Sequence, residues 1–344
     1  YYSFIRFDYS EQAGYNENMY TNIITNENSI QKIKNTPLGI SFYNVTNIKP
    51  HRHETLLEII LCLKGNIQLV SADQTIELRE GDVFSIDCMD IHYLHSQNKN
   101  NIIMSLYIDL SQVDNSFEYL RYTFFTCRSD ACNQYQKLPM YNITDTLLSI
   151  AYIYLSHESL NIHNLTNLYS KLANKLINTM LSYFEWYDYM NTNPNTNANN
   201  ISRERFNRIL KFCQQNYMNK ITVSEIAGRE FINENYLSQF LSKSPFQSFS
   251  NMINYIRCYQ SETFLLTTNL PNIEISYKCG FSDPKYFYKN FKKWYGHTPS
   301  EHRNQYIQQS NTSQQYQILQ NSDILYILEK HIARYHAFKI ASIT

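Results

Sequence analysis

Between Leu38 and about Asp109 the apolar residues come in short runs, ISFYNVTNI, LLEIILCLKGNIQLVS, QTIELREGDVFSI and NIIMSLYIDL. These runs are rich in Val, Ile, Leu and Tyr and are separated by Gly, Asp or Asn, the pattern of strands in a compact β-barrel or jelly roll. Residues 1–36 are polar and aromatic with little periodicity and read as a loose start or a few edge strands. From 115 to 190 the apolar spacing changes to threes and fours, which predicts helices. Leu165, Leu168, Leu172, Leu176, Met180 and Phe184 form one stripe there, which packs onto the barrel or the preceding helix, makes a dimer interface, or does both. The stretch NTNPNTNANN (191–200) cannot bury surface and predicts a flexible tether that lets the two halves move.

Beyond the tether the pattern stays helical. Phe206, Ile209, Leu210, Cys213 and Tyr217 make the core face of one helix, and 249–266 reads as a long connecting helix. Residues 270–303 read as two short helices about a tight turn. Ile273, Ile275 and Cys279 supply an apolar face, and Gly280 closes the first helix where a left-handed backbone is cheap. Asp283 caps the second helix and Pro284 occupies its first position. Phe287 and Phe291 point to the core, which leaves Lys285, Tyr288, Lys289 and Lys292 on the outer face. A cationic helix leaning on another through a glycine turn is the shape of a helix-turn-helix reader. The tail after Arg303 opens with polar QQSNTSQQYQ. It ends with Ile324, Leu325, Leu328, Ile332 and Tyr335 on one helical face, which reads as a capping helix or the start of a further domain of a longer protein.

Composition changes this picture in one respect. The formal net charge is zero, yet residues 201–310 hold fourteen Lys/Arg against eight Asp/Glu. A basic module on an acidic remainder suits phosphate binding beside a separate regulatory part. The seven cysteines are scattered without a CxxC pair, which predicts reduced thiols and a cytoplasmic protein. No apolar run is long enough for a membrane span.

The barrel region carries candidate chemistry. His51 and His53 share a face of one strand, and Glu58 with a later His92 from a neighbouring strand completes a three-histidine, one-carboxylate set. These residues line an effector pocket, bind a metal, or merely make structural hydrogen bonds.

Residues 270–303 resemble the C-terminal signature of the AraC/XylS transcription regulators, with Gly280, Phe281, Tyr286, Phe287, Phe291, Gly296, Thr298, Pro299 and Arg303 in register. ITVSEIAGREFINENYLSQFLSK resembles the first helix-turn-helix of that family, through Ile226, Ala227, Tyr236, Leu237 and Phe240. Phe231 and Phe246 depart from it, standing where the family has the turn glycine and the glycine after the recognition helix. Because a non-glycine residue at positive φ is strained, the first turn is expected to take another shape. Residues 38–110 resemble the arabinose-binding-type cupin of these regulators. The His51–His53–Glu58–Gly65 spacing matches the first cupin motif and Gly81–His92 the second, with Asp87 and Met89 departing from the usual Pro and Gly and Ser96 from the usual Asn.

The resemblance implies an α+β multidomain chain. A cupin-like sensor barrel (1–115), a helical connector or dimerisation region (116–190), the linker (191–200), an all-α tandem helix-turn-helix domain (201–307), and a linker with the start of a further domain (308–344) follow in order. It implies double-stranded DNA as partner, a homodimer, RNA polymerase and a small-molecule effector as further candidate partners, no catalysis, and no cofactor unless the histidines take a metal. By position, Asn235, Ser238, Gln239, Lys285, Tyr288 and Lys289 face base edges, while Lys243, Arg257, Lys292 and Lys293 anchor phosphates. A metal-dependent cupin enzyme with an appended DNA domain and an effector-free architectural binder are the rival readings.

Overall fold

The computed structural model describes residues 30–72, 74–113, 120–156, 162–186, 197–319 and 321–341. Among the described residues, nine antiparallel strands form one sheet: β1 (Gln31–Lys32), β2 (Leu38–His51), β3 (Leu56–Lys64), β4 (Asn66–Ser71), β5 (Gln74–Arg79), β6 (Val83–Ile86), β7 (His92–His95), β8 (Ile102–Asp109) and β9 (Gln315–Ile318). The main path runs β5-β4-β7-β2-β8-β3-β6, with β1 and β9 both added to β2. The long β2 does this by pairing β8 through Leu38–Tyr43 and β7 through Asn47–His51. Alternation along it separates two cores: Ile40 and Phe42 join one that faces the helices, Tyr43 and Val45 another inside the sheet.

The connector is two helices, α1 (Lys137–Ser156) and α2 (Ile162–Tyr183). Leu176, Met180 and Phe184 of the expected stripe are buried at 1%, 0% and 0% exposure within the chain's own core, while Leu168 stays exposed. Packing within the chain's own core therefore accounts for the lower end of that stripe.

The helical half comprises α3 (Asn197–Asn216), α4 (Val223–Arg229), α5 (Glu234–Ser242), α6 (Phe249–Thr267), α7 (Asn272–Lys278), α8 (Pro284–Tyr295) and α9 (Pro299–Ser310). Residues 197–200 of the expected tether are the first turn of α3, and 191–196 lie outside the described residues. The amphipathic pattern that begins at Phe206 propagates backwards, because adding a turn to a formed helix is cheaper than starting one. Nor are the two halves free of one another. Trp186, at the end of the connector, sits 4.9 Å from Phe246 and 5.1 Å from Tyr255, ring to ring, and Phe124 lies 5.7 Å from Trp186. Tyr93 of β7 meets Tyr306 of α9 edge-on at 5.4 Å.

In the tail, residues 308–319, expected as a linker, continue α9 and pair with the sheet, and 321–341 pack as a capping helix would. The last turn of α9 reaches Ser310, β9 pairs with Tyr43–Asn47 of β2, and α10 (Asn321–Ala341) packs on α1. Ile324 and Leu328 are fully buried in the core between barrel and helices, and His331 Nε2 donates to the Leu63 carbonyl at 2.5 Å. The polar run hid the strand because Gln315 and Gln317 lie on an edge exposed to solvent. The Tyr335 side chain lies outside the described residues.

Candidate functional site

Four donors meet inside the barrel. His51 ends β2, His53 follows it, Glu58 lies in β3, and β7 delivers His92 through its pairing with His51. All four are buried and their ligand atoms lie within 4.8 Å of one another. Glu58 Oε2 is 3.2 Å from His53 Nε2 and 3.2 Å from His92 Nε2. Carbonyl oxygens can only accept, so His51 Nδ1 donates to Lys49 O (2.9 Å) and His92 Nδ1 to Asp90 O (3.0 Å). That fixes Nε2 of His92 as a lone pair when the ring is neutral, and this atom is buried without a hydrogen-bond partner. A lone pair and a carboxylate oxygen facing each other at 3.2 Å attract a shared cation.

The electrostatics are consistent with that. Burial, then the neighbouring His92, lowers His51 to about 3, so its ring is neutral. Burial pushes the Glu58 carboxyl up, but the bond to His53 and the nearby His92 outweigh it and hold the group well below the usual range. The His51 and His92 rings oriented by backbone carbonyls, with one ionised carboxylate, are the donor arrangement that a divalent transition metal needs. The residues therefore fit such an ion.

Sequence reasoning missed the polar wall beside this set. Tyr107 lies 5.3 Å from His53, ring to ring, and its hydroxyl meets that of Tyr43, while Ser41 and Ser105 face each other in register. The signal was legible in principle, as polar residues at alternate positions of two runs otherwise apolar (41 and 43, 105 and 107).

The second candidate site is on the helices. Asp283 Oδ1 accepts from Lys285 N at 2.8 Å and caps α8, and Gly296 closes it at φ 72°. Phe287 and Phe291 are 0% exposed, so the back of α8 is locked and Lys285, Lys289, Lys292 and Lys293 are exposed. Tyr288 is half-buried against Phe287, and Lys293 is held by Asn251 Oδ1 at 2.8 Å. On α5, capped by Asn233, the side chains of Asn235, Ser238 and Gln239 are exposed while Leu237 and Leu241 anchor the helix, and Lys243 follows, exposed, at its C-cap.

Three expectations are corrected here. Arg257 does not present its guanidinium as a phosphate anchor. Its Nε donates to Tyr217 O (2.9 Å) and an Nη to Asn219 O (3.0 Å), satisfying carbonyls just past the end of α3. Ile273 is 56% exposed, so the inner face of α7 is carried by Ile275 and Cys279. The first turn keeps its shape despite lacking glycine, since Phe231 itself takes φ 54° with its ring 95% exposed. After α5 the left-handed residue moves one place to Gln247 (φ 62°), which frees Phe246 to fill the aromatic core. In the second turn Gly280 (φ 80°) is required for space as well, because a Cβ there would come within 2.6 Å of Tyr217 O.

A barrel with four buried donors is thus joined to two helix-turn-helix units. Comparison with known proteins places both parts: residues 226–305 match the profile described as a helix-turn-helix domain, and 45–107 that of a cupin domain. The chain therefore carries a cupin-type domain and an AraC-type helix-turn-helix domain. It is 32% identical over 108 residues to an uncharacterised HTH-type transcriptional regulator, YijO, of Escherichia coli, covering 31% of this chain and 38% of that protein. It is 30% identical over 106 residues to the Msm operon regulatory protein of Streptococcus mutans, covering 31% of this chain and 38% of that one. The matched region thus spans well under half of these relatives' length. Among solved structures, fatty-acid-bound ToxT of Vibrio cholerae aligns over 79% of this chain and 96% of that one, at 16% identity and a TM-score of 0.36.

Proposed function

We propose that this chain is a sequence-specific DNA-binding transcription regulator whose barrel senses a small ligand, the donor set favouring a divalent transition metal. The observation that carries the reading is α8: two fully buried phenylalanines fix its back while four lysines face outward. Two reading helices held by α6 suit successive major grooves, about 34 Å apart on one side of the duplex. Lys285, Tyr288 and Lys289, with Asn235, Ser238 and Gln239, read base edges. Lys243, Lys292 and Lys293 neutralise phosphates. A bound divalent ion would supply the positive charge that the lone pairs of His51, His53 and His92 and the Glu58 carboxylate share. The protein works in the cytoplasm, where its DNA is, as a homodimer that contacts RNA polymerase.

The enzyme reading draws on the same donors. Sensing is favoured over turnover because all four are at most 7% exposed, leaving a substrate little approach. Among the described residues no helix is long and apolar enough to cross a membrane. The test is selection of bound duplexes from a random pool by the full chain. Enrichment of one motif in two parts, about one helical turn apart, supports the reading; recovery of unrelated sequences overturns it. A rise in melting temperature on adding Zn²⁺ separates a sensor from an effector-free architectural binder.

A further inference from the structure

Between β6 and β7 the chain makes one tight excursion, residues 87–91, and both ends of the candidate metal site are tied to it. Met89 N donates to His53 O (2.8 Å), and Asp90 O accepts from His92 Nδ1 (3.0 Å). The loop is braced internally by Asp90 N donating to Asp87 O (3.2 Å). Met89 holds a left-handed φ of 73°, a conformation a methionine keeps only when its surroundings impose it.

The other side of the same loop grips the DNA-binding half. The Tyr259 hydroxyl, on α6, lies 2.9 Å from Asp90 Oδ1 and 3.1 Å from Cys88 O. Asp87 Oδ2 accepts from Phe125 N (2.9 Å), and the neighbouring Phe124 ring lies 5.3 Å from that of Tyr259. Helix α6 joins the two reading units: its N-cap Ser248 follows α5 closely, Arg257 holds the end of α3, and Glu262 binds Tyr295 of α8 and His302 of α9. A displacement of α6 therefore moves both units together.

We infer that the 87–91 loop passes the state of the four-donor site to α6 through Tyr259, which makes Tyr259 the residue that couples ligand occupancy to DNA affinity. The inference rests on the regulator reading above and names its route. Drawing the donors around a shared ion moves His53 and His92, and their backbone bonds carry Met89 and Asp90 with them. Tyr259 meets the loop at two oxygens, so it follows. Coupling of this kind changes DNA affinity only by the difference in the ion's affinity for the two arrangements, and the effect is reciprocal.

The test uses the full chain, Zn²⁺ as probe, and a duplex recovered by the selection above. In the wild type, Zn²⁺ changes the duplex Kd by about tenfold, within the usual range for coupled sites. Tyr259→Phe binds Zn²⁺ with the same stoichiometry and binds the duplex as the metal-free wild type does, but its Zn²⁺ effect falls below about twofold. Asp90→Ala, approached from the barrel side, loses the effect as well, whereas Asp90→Asn, which keeps an acceptor, retains most of it. Thr263→Val removes the Arg52 bond to the same helix, 3.0 Å long, and keeps the whole effect. A purely structural role for Tyr259 would instead lower melting temperature and metal-free DNA affinity together. The inference is overturned by a full Zn²⁺ effect in Tyr259→Phe, by a wild type that selects its duplex and binds Zn²⁺ without any change in Kd, or by a wild type that takes up no Zn²⁺. A wild type that cannot discriminate duplexes at all brings down the regulator reading, and this inference with it.

Discussion

The guanidinium of Arg257 donates to the carbonyl of Tyr217 at 2.9 Å, across forty residues of chain. A second bond reaches Asn219, and the group lies 5.8 Å from the centre of the Phe281 ring. The contact ties the end of α3 to the helix joining the reading units. Arg257→Ala should therefore cost about 1.5–3 kcal/mol of stability, the scale of charge-assisted hydrogen bonds. The salt dependence of DNA binding should keep its slope, whereas loss of a phosphate contact would reduce it by about 0.9. Denaturant melts and a salt titration on the same variant separate the two.

Phe231 holds a backbone conformation suited to glycine, and its exposed ring gains little in return. Phe231→Gly removes a left-handed penalty of about 1–2 kcal/mol and adds backbone entropy to the unfolded chain of about 0.5–1 kcal/mol. A net gain of up to about 1.5 kcal/mol in thermal or urea unfolding is expected. A loss would mean that the ring is engaged.

The tail belongs with the barrel and the connector helices. Leu328→Ala should destabilise the chain by about 2–5 kcal/mol, since it opens a cavity in a core shared with α1. The same change should leave duplex preference intact. Equilibrium unfolding and a binding assay check both halves of that statement.

His51 gives a pH dependence with a definite sign. Its folded value, about 3, lies below the ordinary 6.5, so the unfolded chain binds a proton first as pH falls. The stability associated with neutral His51 is present above about pH 6.5 and is lost progressively down to about 3. Asp90 acts in the opposite direction, since burial raises it to about 7, but it is common to wild type and variant. In the presence of a chelator, the stability difference between wild type and His51→Asn should therefore shift in favour of the variant from pH 7 to pH 5. Parallel curves would place His51 in contact with solvent.

Much of this architecture is legible in the sequence because the local signals agree with one another. Gly280, Asp283 and Pro284 each impose one backbone conformation, and the structure shows all three. The His51–His53 alternation foretells a shared face, and pairing with β7 adds His92 as the spacing suggests. What escaped depends on distant chain. Nothing local reveals that Gln315–Ile318 would pair with Tyr43–Asn47, or that Arg257 would find carbonyls forty residues earlier. The turn at Phe231 escaped for another reason: the fold around it outweighs a penalty of about 1–2 kcal/mol. Tyr259 carried no signal at all, since a tyrosine in a helix gives no hint of a loop waiting beneath it.

The central claim is that α8 and α5 read sequence, and duplex discrimination tests it most directly. At physiological salt the full chain should bind its selected duplex at least about a thousandfold more tightly than an unrelated one. Lys289→Ala should cost about 1–3 kcal/mol on the selected duplex and relax preference at one base pair. Equal, weak binding to both duplexes by the wild-type chain would contradict the account.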